Sequence, residues 1–212
     1  MCSRIPAAPC FASCPNRRAS RSRVRHVRTV HTALHVARNR RPVRSHGRRS
    51  NLQAHYNIAP TDTLNVVRLA NGASELVPMH WRLIPYRWKK PLTQLPATFN
   101  ARAESVADKP IFRDAFKRHR CIIPASGYYE WITKPDGKQP YYINAADGTM
   151  LSFAGLWDRW RDLATSEPVA SCTIIVTDAN ALTRPIHDRM PVVLDTRRMS
   201  GRGWPVRLAP RF

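Results

Sequence analysis

Between Met1 and His55 this sequence holds no aspartate, no glutamate and no lysine. Its charge there comes from arginine alone, which recurs from Arg17 to Arg49. A stretch so one-sided does not read as ordinary globular sequence. Acids are scarce throughout, 14 against 35 lysines and arginines in 212 residues, giving a formal net charge of +21. That balance is extreme for an ordinary enzyme and points first to a polyanion such as nucleic acid. Apolar runs of the roughly 20 residues that a membrane helix needs are also missing, so no membrane partner is expected. Cysteines are few: Cys2, Cys10, Cys14, Cys121 and Cys172, odd in number and without a Cys-x-x-Cys pair. A disulfide scaffold and a zinc ribbon are therefore set aside, and a reducing compartment fits best. His119 and Cys121 have no partner pair at ligand spacing, so no metal site is expected, and no cofactor is expected either. There are no internal repeats, and the length suits one domain with a proper core.

What is present divides in three. Residues 1–50 form the arginine-rich, acid-free segment, residues 51–195 have a normal globular pattern, and residues 196–212 turn basic again. Three readings of the first segment stay open. It is a disordered arm binding nucleic-acid backbone through counterion release, an organelle transit peptide, or the product of a GC-rich gene read out of frame. The tail admits the same out-of-frame origin.

Cys2 carries its own chemistry. Removal of Met1 before a small residue would leave one residue with both a free α-amine, partly neutral at pH 7, and a thiol with some thiolate character. The amine condenses with an aldehyde to an imine, and the thiol then closes on the same carbon to a five-membered thiazolidine. The bland alternative is an incidental second-position cysteine.

Within the globular stretch, Leu64–Leu69 and Leu76–Met79 read as strands joined by a hairpin turn at Ala70-Asn71-Gly72. His80–Trp88 interleaves aromatics with arginine, which suits base stacking and phosphate neutralisation; a core-edge segment with snorkelling arginines fits equally. Phe99–Ser105 is a polar cluster, with Asn100 and Arg102 as turn or helix-start residues, ahead of a helix expected over Lys109–Arg118. Pro135–Lys138 is a turn. Pro140–Asn144 and Met150–Trp157 read as strands, Leu156–Asp162 as the start of a short helix, and Cys172–Thr177 as a buried strand.

The sequence RHRCIIPASGYYEW, from Arg118 to Trp131, stands at the centre. Cys121–Ile123 reads as a buried strand, Pro124–Gly127 as turn chemistry, and the aromatics after it as a second strand. That strand contains Glu130. A carboxylate between Tyr129 and Trp131 is either a candidate general acid/base or an ordinary residue facing water. His187, beside Asp188 and Arg189, is a second candidate, since charged neighbours set its tautomer.

Several motifs in order resemble one family. Met1-Cys2-x-Arg4, Tyr56-Asn57-Ile58-Ala59-Pro60 and Trp81-x-Leu83-Ile84-Pro85 come first. Asn100-Ala101-Arg102-Ala103-Glu104, Arg120-Cys121-x-Ile123-Pro124 with Gly127-Tyr128-Tyr129-Glu130-Trp131, and His187-Asp188-Arg189-Met190-Pro191 follow. Together they resemble the SRAP family, the SOS-response-associated peptidases or abasic-site processing proteins. The likeness covers about two thirds of the chain. Ser3 and Ile5 stand where the family has Gly and Phe.

The resemblance implies an α+β fold of curved antiparallel sheets, half-open and barrel-like, with a few flanking helices. It implies a monomeric, cytoplasmic, nucleoid-associated bacterial protein whose partner is single-stranded DNA carrying an abasic site. Cys2 would form the covalent crosslink after peptidase-like loss of Met1, with lyase-like imine chemistry. Asn100 would orient the amine and sugar, Glu130 would move protons, and His187 would assist opening of the sugar ring. Arg4, Arg102, Arg113 and Arg120 would contact phosphates, with Trp81 near displaced bases.

Overall fold

The structure, a computed structural model, describes residues 34–36 and 55–195. In chain order its strands begin with β1 (Leu34–Val36), β2 (His55–Ile58), β3 (Thr63–Ala70), β4 (Ala73–Trp81) and β5 (Asn100–Arg102). The one described α-helix, α1 (Arg113–Arg118), comes next. It is followed by β6 (Arg120–Ala125), β7 (Gly127–Lys134), β8 (Gly137–Asn144), β9 (Leu151–Arg161), β10 (Pro168–Asp178) and β11 (Arg189–Pro191).

Alternation of apolar residues sets the architecture. Leu64 and Val66 in β3, Met79 and Trp81 in β4, and Cys121 and Ile123 in β6 all recur at period two and pack into one buried cluster. β3 pairs with both β4 and β6, β6 pairs with β9, and β4 pairs in parallel with β10. An antiparallel ladder from Pro168↔Arg161 to Ile174↔Gly155 then joins β9 to β10 and closes a five-stranded barrel. Closure removes the free edges that an open sheet would expose. The expected α+β fold of curved sheets holds, with the barrel closed and β5 and β11 added to β10. A second sheet runs β2-β1-β7-β8. Tyr128 of β7 ties it to the barrel, packing edge-on against Phe153 at 5.8 Å.

The hairpin at Asn71-Gly72 is as expected. Ala70 faces Ala73, and both turn residues have positive φ, 49° and 77°, the geometry that Asn-Gly favours. Cys121 and Cys172 are buried, and burial pushes both thiols well above their ordinary range.

Four local expectations are corrected. Asn100 and Arg102 lie on a strand rather than at a turn, because β5 pairs in parallel with Ile174–Val176. The helix is shorter than Lys109–Arg118. Phe112 sits at φ −120°, and the Lys109 carbonyl takes the N–H of both Phe112 and Arg113, so only a six-residue helix follows. Pro124 lies within β6 opposite Ser152. Leu156–Asp162 is not a helix start: Leu156, Asp158 and Trp160 alternate inward along β9, and pairing with β10 overrides local propensity.

Candidate active site

Glu130 is 3% exposed. The alternation of β7 decides this: Tyr128 and Glu130 point to its buried face, while Tyr129 and Trp131 share the other face with Tyr142. The alternative in which Glu130 faces water is thereby removed. The aromatics beside it in sequence do not share its face, because adjacent strand residues point opposite ways. Its charge is felt two residues away. Burial first, and the Glu130 carboxylate second, push the Tyr128 phenol up to about 12.

Asn100 occupies β5 opposite Ile174. The Phe99 carbonyl before it accepts the indole N–H of Trp81 at 2.9 Å and the Ile174 N–H at 3.0 Å, which fixes the backbone. The Asn100 Oδ1 is buried and accepts no hydrogen bond among the described residues. An unsatisfied buried acceptor costs about 1–3 kcal/mol, and the penalty is relieved when a ligand donates to it. Arg102 ends the strand exposed, opposite Val176.

His187 is held through its backbone, donating N–H to the Thr183 carbonyl at 3.0 Å. Its Nδ1 accepts the Arg189 N–H at 3.0 Å and lies equally close to Asp188 Oδ1. These two contacts ask for opposite protonation of Nδ1. The backbone donation decides, because the Asp188 side chain is 82% exposed and its charge is screened by water. The proton of the neutral ring is therefore assigned to Nε2.

Two residues not among the predicted site residues, Arg189 and Glu104, join these pieces. Arg189 donates to Glu104 at 2.7 Å and lies 3.3 Å from Asp178. Burial pulls the Glu104 carboxyl up, but its own backbone N–H, Arg189 and the Arg102 charge together hold it below the usual range. The only signal in the sequence was their presence in the two charged motifs. The structure thus brings Asn100, Arg102 and His187 around the Ile174–Asp178 end of β10, with β5 and β11 pairing there. Glu130 is carried by the second sheet.

The remaining candidates are scattered. Trp81 is fully buried in the barrel with its N–H spent on Phe99, which corrects its expected place beside displaced bases: it has no free face to stack. Arg113 is exposed on α1, 3.9 Å from Asp114. Arg120 is exposed at the start of β6. Cys2 and Arg4 lie outside the described residues.

The chain is 40% identical over 142 residues to the abasic site processing protein YoqW of Bacillus subtilis, covering 66% of this chain and 62% of that protein. It is 33% identical over 140 residues to the abasic site processing protein HMCES of Xenopus tropicalis, covering 57% and 42%. The match therefore spans less than two thirds of these relatives' length. A crystal structure of a protein from Bacteroides thetaiotaomicron superposes with a TM-score of 0.63 at 34% identity, over 68% of this chain and 64% of that one. The family profile described as SOS response associated peptidase (SRAP) matches residues 17–204. With that profile spanning most of the sequence, and a solved structure of similar sequence superposing on it, the chain belongs to the SRAP family.

Proposed function

We propose that this chain processes abasic sites in DNA: it binds a single strand containing the lesion and captures the ring-opened sugar aldehyde on Cys2. The observation that carries this reading is the burial of Glu130, a carboxylate held out of water in a protein of high positive charge. Such a group is suited to proton transfer. The names of the relatives and the unsatisfied Asn100 Oδ1 support the same reading.

The chemistry balances in two steps. The Cys2 amine, freed by removal of Met1, adds to the aldehyde carbon, and loss of one water gives an imine. The Cys2 sulfur then adds to that carbon, its proton passing to nitrogen, and the thiazolidine closes. Glu130 carries protons between nitrogen, the departing oxygen and sulfur. Asn100 accepts an N–H or O–H and so orients the amine and sugar. His187, through its Nε2–H, hydrogen-bonds the ring oxygen as the sugar opens and the C1 hydroxyl proton passes to that oxygen. Arg4, Arg102, Arg113 and Arg120 hold phosphates.

The test is incubation with a single-stranded oligonucleotide bearing one abasic site, followed by denaturing electrophoresis and intact mass. A heat-stable adduct lacking Met1 is expected, absent with Cys2→Ala. With Glu130→Gln it should form about 100-fold more slowly at unchanged DNA affinity. No adduct from the wild type, or an equal one from Cys2→Ala, overturns the proposal.

A further inference from the structure

A cleft lies on β9, where the connection from α1 to β6 crosses it and the Trp157 backbone N–H bonds the His119 carbonyl at 2.9 Å. Its volume is about 390 Å³, and its walls include Tyr86, Trp157, His119, Arg118 and Arg159. None of these has a part in the capture chemistry above. Register separates the two places. Asp158 faces Ser171 on β10 and Arg102 faces Val176, five residues or about 17 Å apart at ~3.3 Å per residue.

The cleft is built rather than incidental. Asp158, 2% exposed, accepts the backbone N–H of Tyr86 at 2.9 Å and of Arg159 at 2.8 Å, and its Oδ1 lies 3.4 Å from His119 Nδ1. One buried carboxylate thus fixes three wall residues and leaves Nε2 as the free polar atom of the imidazole. The His119 ring stacks on Trp157 at 4.5 Å, and Arg68 covers Trp157 at 4.4 Å. Tyr86 is 42% exposed, with the Arg87 guanidinium 4.9 Å from its ring. Arg118 and Arg159 are exposed, and their side chains pair with nothing among the described residues. The opposing wall charges are Asp114, which already has Arg113 nearby, and the buried Asp158, which is taken up by the Tyr86 and Arg159 N–H groups and His119.

Rigid aromatic rings flanked by unpaired guanidiniums suit a planar ring carrying an anion. We propose that this cleft is a nucleotide subsite, with the base against Tyr86 and His119 and the phosphate between Arg118 and Arg159. The nucleotide is either free or one unit of the bound strand. In a strand, the ~17 Å separation is covered by about five nucleotides even at the compact 3.4 Å rise of duplex DNA. The strand case rests on the abasic-site reading; the free-nucleotide case does not.

The probes are deoxyadenosine monophosphate, followed by calorimetry, and two undamaged oligonucleotides, of three and of twelve residues, followed by fluorescence anisotropy. The proteins are the wild type, Tyr86→Ala and the exposed double variant Arg118→Gln/Arg159→Gln. Removing one stacking partner should weaken the bound base at least fivefold. The double variant should lower the salt slope by about 0.7 for a strand, the share of the one phosphate the two guanidiniums hold. If the variants weaken the mononucleotide but leave both oligonucleotides unaffected, the subsite stands and its ligand is free. If they weaken only the longer oligonucleotide, the subsite stands and its ligand is the strand. Unchanged affinities and slopes for all three probes overturn the proposal. No probe contains an abasic site, so failure of the crosslink leaves this result readable, and unchanged crosslinking in the double variant would not rescue the cleft.

Discussion

Glu130 and Tyr128 share one face of β7, and that pairing gives the residue scale its clearest consequence. Burial and the neighbouring carboxylate raise the phenol from an ordinary 10.0 to about 12. A group whose folded value lies above its unfolded one supports the fold fully below the unfolded value and loses that support as pH rises through the folded one. Stability should therefore fall between pH 10 and pH 12, and Tyr128→Phe should remove that part of the decline. Urea unfolding across this range, with phenolate absorbance, checks it. A Tyr128 that ionises with the exposed tyrosines would refute the coupling. The sequence showed that a carboxylate sat among aromatics. It did not show which face the carboxylate took, because alternation alone leaves the sign of the pattern open until one face meets a core.

At the scale of elements, the β6–β7 corner positions Glu130. Gly127 follows directly on Ser126, and a Cβ there would come within 2.6 Å of both the Ile143 carbonyl oxygen and the Tyr142 ring. Gly127→Val must push β8 away from β7, at a cost of about 1–3 kcal/mol. It should lower the unfolding midpoint and slow crosslinking together. A variant as stable as the wild type would mean that β8 gives way freely. The hairpins were legible because Asn-Gly and Pro-Asp carry their geometry locally. The strand character of Leu156–Asp162 was not, since Trp157, Asp158 and Trp160 take their places only when β10 lies alongside. The same holds for Asn100, whose strand exists through pairing with Ile174.

At the scale of the whole molecule, the net charge of +21 should make the proposed DNA binding dependent on salt. Each phosphate neutralised on a single strand contributes a slope of about −0.7 in log affinity against log salt. Arg102→Gln should reduce that slope by about 0.7, measured by anisotropy between about 50 and 200 mM salt. If deleting residues 17–49 abolishes the slope and Arg102→Gln leaves it untouched, binding belongs to the arginine-rich segment. The sequence by itself determined the charge, the hairpins, the buried β10 run and the order of motifs, because each rests on neighbours along the chain. Only the tertiary structure decided that the barrel closes, that Trp81 is core, that Glu130 is buried, and that Arg189 ties Glu104 to Asp178. These facts depend on residues tens of positions apart, which packing brings together and local propensity does not encode.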